Sequence, residues 1–356
     1  MTSQSNTSRL VLPRVGWRPM ARLPALIWML TWPLVALGQT QGAATIAPRL
    51  TTVKTWDYQL RRLDVATAAA RNSDMIVVEA GTGGDGTGVK DSNDVARLRL
   101  KPDGGRRLVI AYLSIGEAED YRAYWQAQWS TTPPPWLIGE NCRWPRNYLV
   151  RYWMPDWQAI MIKGNASALG RIMDLGFDGV YLDRVDVFQD AAELGLIKTK
   201  AARASMIQFV RELSATAKAR QPGFTVTVQN AEELLDDAAY RRTIDAIAKE
   251  DLVHGLKGTA VRNDSEEIAT ARKSLQRLQR DGKPAFVIEY LTTANQIEAT
   301  RTELARNRFT GVFPTRGLDG QDPTADAGRT LAGQQGTPEY GAARCDGLLT
   351  KRTARP

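Results

Sequence analysis

The chain has 356 residues, 43% of them hydrophobic and 24% charged, which is enough apolar matter for a large core and is not the composition of a disordered chain. Its formal net charge of +8 sits at the ends: residues 1–38 carry Arg9, Arg14, Arg18 and Arg22 with no acid, residues 341–356 carry a further +3, and residues 39–340 keep only +1. A nucleic-acid binder carries its basic excess on the folded body, so nucleic acid is not an expected partner. With Cys142, Cys345 and one histidine, His254, in the whole chain, a disulfide framework and a Cys-based zinc site are excluded.

Residues 1–38 read as an export signal. Basic residues precede the apolar run Leu23–Leu37, and Ala36-Leu37-Gly38 has the small-x-small form of a cleavage site. The run is short and broken by Pro24 and Pro33, which argues against a membrane span; only an uncleaved signal would give a membrane partner. The expected location is secreted or periplasmic. Whether Cys142 and Cys345 pair there is open.

Residues 45–320 alternate short apolar runs with amphipathic stretches. Strands are predicted at Thr55–Leu60, Met75–Ala80, Leu108–Leu113, Tyr148–Trp153, Gly179–Asp183, Phe224–Gln229, Asp245–Lys249, Ala285–Tyr290 and Gly311–Pro314. Helices are predicted at Asp64–Arg71, Glu119–Gln128, Asp156–Leu175, Ala201–Arg220, Asp264–Arg280 and Ala294–Asn307. Such alternation gives parallel strands with helical crossovers. The expected fold class is α/β, a (β/α)8 TIM-type barrel, with a doubly wound sheet as the alternative. Nine candidates is one too many for a plain barrel, so the first or last is expected to be accessory. Residues 321–356, rich in Gly, Thr, Ala and Arg, read as a disordered basic tail.

Barrel sites lie at the carboxyl ends of the strands. In Val180-Tyr181-Leu182-Asp183 the acid shares a face with Tyr181, and in Ala246-Ile247-Ala248-Lys249-Glu250 the acid shares a face with two small residues that suit a crowded interior. Polar groups recur at the same end: Tyr112, Glu117, Arg151, Asp186, Asn230 and Glu289. Acids with an arginine and aromatics suit acid–base work on a neutral or cationic substrate rather than phosphate binding. Six tryptophans fall between residues 125 and 157. Trp125 and Trp129 read as core, whereas Trp136 and Trp144, in a Pro-rich loop, read as platforms for the apolar face of a sugar.

Gly81-Thr82-Gly83-Gly84-Asp85-Gly86 matches the dinucleotide fingerprint GxGxxG, but Thr87–Asn93 has no apolar helical face and no acid closes a second strand about 20 residues on. A dinucleotide-dependent oxidoreductase is therefore the weakest alternative. GxSxG is absent, and His254 has no evident partner for Ser–His catalysis.

The segment from Val109-Ile110-Ala111-Tyr112-Leu113-Ser114 through Gly116-Glu117-Ala118-Glu119-Asp120-Tyr121-Arg122 to Trp125 resembles the TM1410-like, endo-α-1,4-polygalactosaminidase family of glycoside hydrolases (family 114). So do Val150-Arg151-Tyr152-Trp153, Gly176 to Asp183, Gln229-Asn230-Ala231-Glu232-Glu233 and Ile244 to Leu252. The resemblance implies a (β/α)8 barrel, no metal or other cofactor, and hydrolysis of an α-1,4-linked galactosamine polymer by an acidic pair that falls on Asp183 and Glu250. Asp183 would be nucleophile or base and Glu250 the general acid, with Tyr112, Glu117, Arg151, Tyr181, Asp186, Asn230 and Glu289 orienting or binding sugar. A non-catalytic carbohydrate-binding barrel is the alternative. Arg184 departs from the family pattern. Close to Asp183 it would lower that acid's pKa; outside the barrel it would sit in a salt bridge.

Overall fold

The computed structural model describes residues 49–324, and the structural statements below concern those residues. The export-signal segment 1–38, residues 325–356 of the tail and Cys345 lie outside them; Cys142 is buried.

Eight strands hydrogen-bond in chain order, every neighbouring pair parallel. They are β1 (Trp56–Gln59), β2 (Met75–Glu79), β3 (Leu108–Ser114), β4 (Gly179–Asp183), β5 (Thr225–Gln229), β6 (Ala246–Glu250), β7 (Ala285–Ile288) and β8 (Thr310–Val312). The first and last strands nearly close the ring: Trp56 Nε1 donates to Thr310 O at 3.1 Å, and Leu60 N donates to Leu318 O at 2.9 Å. Between the strands run helices, among them α1 (Val65–Ala69), α2 (Ser92–Arg99), α3 (Pro155–Ile162), α4 (Ala168–Asp174), α5 (Val187–Glu193), α6 (Thr199–Arg220), α7 (Ala238–Thr243), α8 (Ser265–Arg280) and α9 (Ala294–Arg306). The result is the expected (β/α)8 architecture.

Period-2 alternation divides the strand residues into two cores. One packs inside the barrel and includes Trp56, Tyr58, Val77, Ile110, Tyr112, Tyr181, Ala246, Ala248, Phe286, Ile288 and Tyr290. The other lies between strands and helices and includes Ile76, Val109, Val180, Leu182, Val226, Val228, Ile247 and Val287. The small Ala246 and Ala248 leave room for the large rings of Tyr58 and Tyr181, whose centroids are 5.2 Å apart.

The accessory strand is neither the first nor the last. The predicted strand Tyr148–Trp153 is instead part of an excursion after β3, where Asn147–Val150 pairs antiparallel with Glu117–Glu119 and Leu137–Glu140. An antiparallel strand packed on one face has the same local pattern as a barrel strand, so sequence does not separate them. The predicted helix Glu119–Gln128 is also absent: Glu119 ends a strand, and only the short 3-10 turn Ala127–Ser130 follows. The predicted helix Asp156–Leu175 is two helices, parted at Gly164, whose φ of 77° the α-helix does not allow. Helix α2, not predicted, starts where Asp91 accepts from Asn93 N and Asp94 N.

In this excursion Trp125, Trp129, Trp136 and Trp157 form a chain of rings with centroids 4.9–5.3 Å apart. Trp136 is buried in that chain and is not a sugar platform; Trp144 is 58% exposed.

Candidate active site

The same alternation that fills the barrel with apolar side chains turns polar at the carboxyl ends of the strands. Inward positions there carry Glu79 on β2, Tyr112 and Ser114 on β3, Asp183 on β4, Gln229 on β5 and Glu250 on β6. Register places Glu79 beside Tyr112, Tyr112 beside Tyr181 and Ser114 beside Asp183, with Gln229 paired to Ala248 and Glu250 to Ile288.

Each acid of the proposed pair is held by a tyrosine. The Tyr112 hydroxyl donates to Asp183 Oδ2 at 2.5 Å, and Arg184 N donates to Asp183 Oδ1 at 2.7 Å. The Tyr290 hydroxyl donates to Glu250 Oε1, and Gln229 Nε2 donates to Glu250 Oε2 at 2.5 Å. Tyr58 donates on to Gln229 Oε1 at 3.2 Å, and Glu250 N donates to Asn230 Oδ1 at 3.0 Å.

Burial pushes the Asp183 carboxyl up to about 7; the Tyr112 hydrogen bond opposes this and the charge of Glu250 adds to it. Burial likewise raises Glu250, against the hydrogen bond from Tyr290. The hydroxyls of Tyr58 and Tyr181 are both raised by burial first and then by neighbours that include Asp183 and Glu250, so these rings lie in the field of both acids. Two carboxyls in one mouth, both raised by burial and one of them to about 7, are equipped for proton transfer. The Tyr181 hydroxyl is buried and has no hydrogen-bond partner.

The backbone beyond these strand ends is strained. Arg184, Asn230, Ala231 and Asp251 follow β4, β5 and β6 with φ of 57°, 54°, 56° and 51°, a region side chains with a Cβ rarely adopt. Such conformations cost about 1–3 kcal/mol each and gather where a side chain must be aimed. Gly116 permits the tight fit beside the β4 turn: a Cβ there would lie 2.2 Å from Arg184 O.

Arginines flank both tyrosine–acid pairs. Arg122 bridges Glu79 and Glu119, at 2.6 Å to each, and lies 5.8 Å from the Tyr112 ring centroid. Burial pushes Glu79 up to about 7 against the pull of Arg122. Arg316 contacts Asp251 at 3.0 Å and covers the Tyr290 ring at 4.3 Å.

Of the residues singled out from sequence, Tyr112, Tyr181, Asp183, Asn230 and Glu250 come together at this mouth. Four others do not join them. Glu289 faces the helix side, as Val287 does, and accepts from Val253 N and His254 N at 2.6 and 3.0 Å. Glu117 is buried between Arg184 Nε and Asn141 Nδ2, at 2.8 and 2.9 Å. Asp186 stands at the start of α5, caps nothing with its side chain and contacts Arg184 at 3.4 Å. Arg151 donates to Pro135 O in the excursion.

Arg184 does both of the things expected of it: it pulls the Asp183 pKa down, and it sits in salt bridges. It forms ion pairs with Glu117, Asp186 and Asp190, and its pull on Asp183 is outweighed by that acid's burial. Tyr58, Glu79 and Tyr290 are site residues that the sequence motifs do not point to, and Gln229 stands in them only as part of a strand-end motif. Counting by two along β7 from Phe286 and Ile288 reaches Tyr290 and passes over Glu289. The Gly81–Gly86 loop closes on itself, with Gly83 N donating to Thr87 O at 2.8 Å, and opens no helix for a dinucleotide. Among the described residues no cluster of His, Cys, Asp and Glu could hold a metal ion, and no helix is long and apolar enough to cross a membrane.

Parallel strands delivering two acids, each hydrogen-bonded to a tyrosine, to the carboxyl mouth of a (β/α)8 barrel make an arrangement suited to two-carboxylate glycoside hydrolysis. Residues 37–329 match the model of glycoside-hydrolase family GH114, and the chain belongs to that family.

An uncharacterized protein of Thermotoga maritima is 34% identical over 238 residues, covering 66% of this chain and 70% of that one. One of Deinococcus radiodurans is 38% identical over 222 residues, covering 62% and 66%. The chain therefore spans about two thirds of the length of these relatives. The glycoside hydrolase domain of PelA from Pseudomonas aeruginosa superposes with a TM-score of 0.57 at 21% identity, over 75% of this chain and 96% of that one. That likeness is one of fold.

Proposed function

We propose that this glycoside hydrolase is exported and cleaves an α-1,4-linked galactosamine-type polysaccharide, with Asp183 and Glu250 as its working carboxyls. The observation that carries the reading is the pair itself: two acids from β4 and β6 at one barrel mouth, each oriented by a tyrosine hydroxyl and each raised by burial. The amino-sugar assignment rests on charge and on the family resemblance. The carboxylate of Asp183, ionised when it acts, is the charge at the mouth that would attract an ammonium group.

Protonated Glu250 donates its proton to the glycosidic oxygen as the bond to the anomeric carbon breaks. Asp183, ionised, attacks that carbon or takes the proton of a water that does. Protonating Glu250 removes a negative charge that holds Asp183's pKa up, so a proton on Glu250 favours the ionised form of Asp183 that this division requires. The Tyr112 hydroxyl keeps the Asp183 carboxylate aimed, and Tyr290 does the same for Glu250.

Incubation of the protein with a deacetylated α-1,4-galactosamine polymer, followed by mass spectrometry, tests this. Soluble oligosaccharides are expected. A polymer that is bound and stays intact would make the protein a carbohydrate-binding barrel instead.

A further inference from the structure

Among the exposed large hydrophobic side chains of the described residues, Trp144 is the only aromatic one. The neighbouring tryptophans 125, 129, 136 and 157 satisfy their apolar surface against one another; Trp144 does not. It stands on the turn joining the second and third strands of the excursion sheet, Leu137–Glu140 and Asn147–Val150.

That turn is tightly held. Asn147 N and Nδ2 both donate to Trp144 O, at 3.1 and 3.3 Å, and Arg143 N donates to Asn141 Oδ1 at 2.9 Å. Arg146 donates to Asp120 at 2.7 Å and to Gly84 O, in the loop after β2, at 3.1 Å. A large ring on a pinned backbone loses little conformational entropy when a ligand lies on it.

The turn is also continuous with the mouth. The excursion leaves the carboxyl end of β3 and the Gly84 loop leaves that of β2, so both lie on the face that carries Asp183 and Glu250. Arg146 covers the Tyr121 ring at 5.0 Å, and Tyr121 donates to Glu119 at 2.5 Å. Arg122 joins Glu119 to Glu79, beside Tyr112 and Asp183.

We infer that Trp144 is a distal subsite for the polysaccharide, taking the apolar C–H face of a pyranose several units along the chain from the bond that is cut. This rests on the proposed function and deepens it. In a galacto-configured sugar the axial 4-oxygen gathers the ring C–H groups on one face, the surface an indole covers best. Arg146, near Trp144, is paired with Asp120 at 2.7 Å and its amide donates to Glu140 at 2.8 Å, so this turn offers no unpaired carboxylate of Asp120 to draw in an ammonium group. The subsite reads the ring face and accepts an acetylated or a free amino sugar alike, whereas the acid-lined mouth favours the free amine. The subsite thus makes the protein select for chain length.

The test compares wild type, Trp144→Ala and Trp144→Phe on a galactosamine trimer and on a polymer, measuring kcat/KM. In parallel, affinity for long oligosaccharides is measured on the same three proteins carrying Asp183→Asn. Trp144→Ala is expected to lower the polymer-to-trimer ratio of kcat/KM about tenfold, the size of one lost aromatic stack, and to weaken long-chain binding by a similar factor. Trp144→Phe is expected to restore most of both. An unchanged ratio with unchanged long-chain affinity overturns the subsite and leaves the hydrolase reading standing. If long chains bind through Trp144 and are never cleaved, the subsite stands and the hydrolase reading falls. If no chain binds, both fall.

Discussion

The Tyr112 hydroxyl lies 2.5 Å from Asp183 Oδ2, donated across the β3–β4 seam by a residue whose own strand partner is Tyr181. This bond holds the Asp183 pKa below the level burial alone would set, and it still stands at about 7. In Tyr112→Phe the opposing hydrogen bond is gone and the acid rises further. If Asp183 must be ionised to act, the acidic limb of kcat/KM against pH moves to higher pH in this variant, by about one pH unit or more. A pH–rate profile of polymer cleavage checks it; a limb that stays in place removes Asp183 as the group titrating there.

Asp183 also sets a pH dependence of stability. Its folded pKa lies above its unfolded value of 3.8, so between pH 3.8 and about 7 the folded state binds more protons than the unfolded one. The contribution is therefore fully present below pH 3.8 and is lost as pH rises towards 7. Asp183→Asn keeps the shape and abolishes that loss. The variant is expected to be more stable than wild type at pH 8, on the order of 1 kcal/mol or more, and to gain less or nothing at pH 4. Thermal melts at the two pH values report the difference.

Arg184 answers three carboxylates, Glu117, Asp186 and Asp190, and Glu117 is buried. Arg184→Gln leaves Glu117 without a countercharge, with an expected cost of about 3–5 kcal/mol. Because an unpaired acid is relieved by protonation, the loss is larger at pH 8 than at pH 5. Urea titrations at both pH values measure it.

Two tryptophans in the same excursion are expected to behave in opposite ways. Trp136 is buried among Trp129 and Trp157, so Trp136→Ala costs about 3–5 kcal/mol. Trp144 is mostly exposed, so Trp144→Ala shifts the melting temperature little and acts on long substrates instead. Melting curves of the two variants separate the roles.

Much of this was legible in the chain because its causes are local. The run from Gly179 to Leu182 ends on Asp183 because a buried strand delivers it to the mouth, and the small Ala246 and Ala248 mark the inward face that Glu250 continues. What sequence did not show depends on partners far away in the chain. Glu117 reads as a site acid until Arg184, 67 residues on, is seen to occupy it. Glu289 ends a strand as Asp183 does, but on the opposite face, where the amides of Val253 and His254 take it up. Trp136 and Trp144 share one Pro-rich stretch, and the rings of Trp129 and Trp157 show which is inside. Residues 148–153 carry a barrel strand's pattern but pair with the excursion.

In the proposed function Asp183 and Glu250 together break the glycosidic bond. The direct measurement is the rate of galactosamine-polymer cleavage by Asp183→Asn and by Glu250→Gln, each confirmed as folded, beside wild type. Either substitution is expected to lower kcat/KM by about a thousandfold or more, since each removes a group the transition state needs. Cleavage at an undiminished rate by either variant would contradict the assignment.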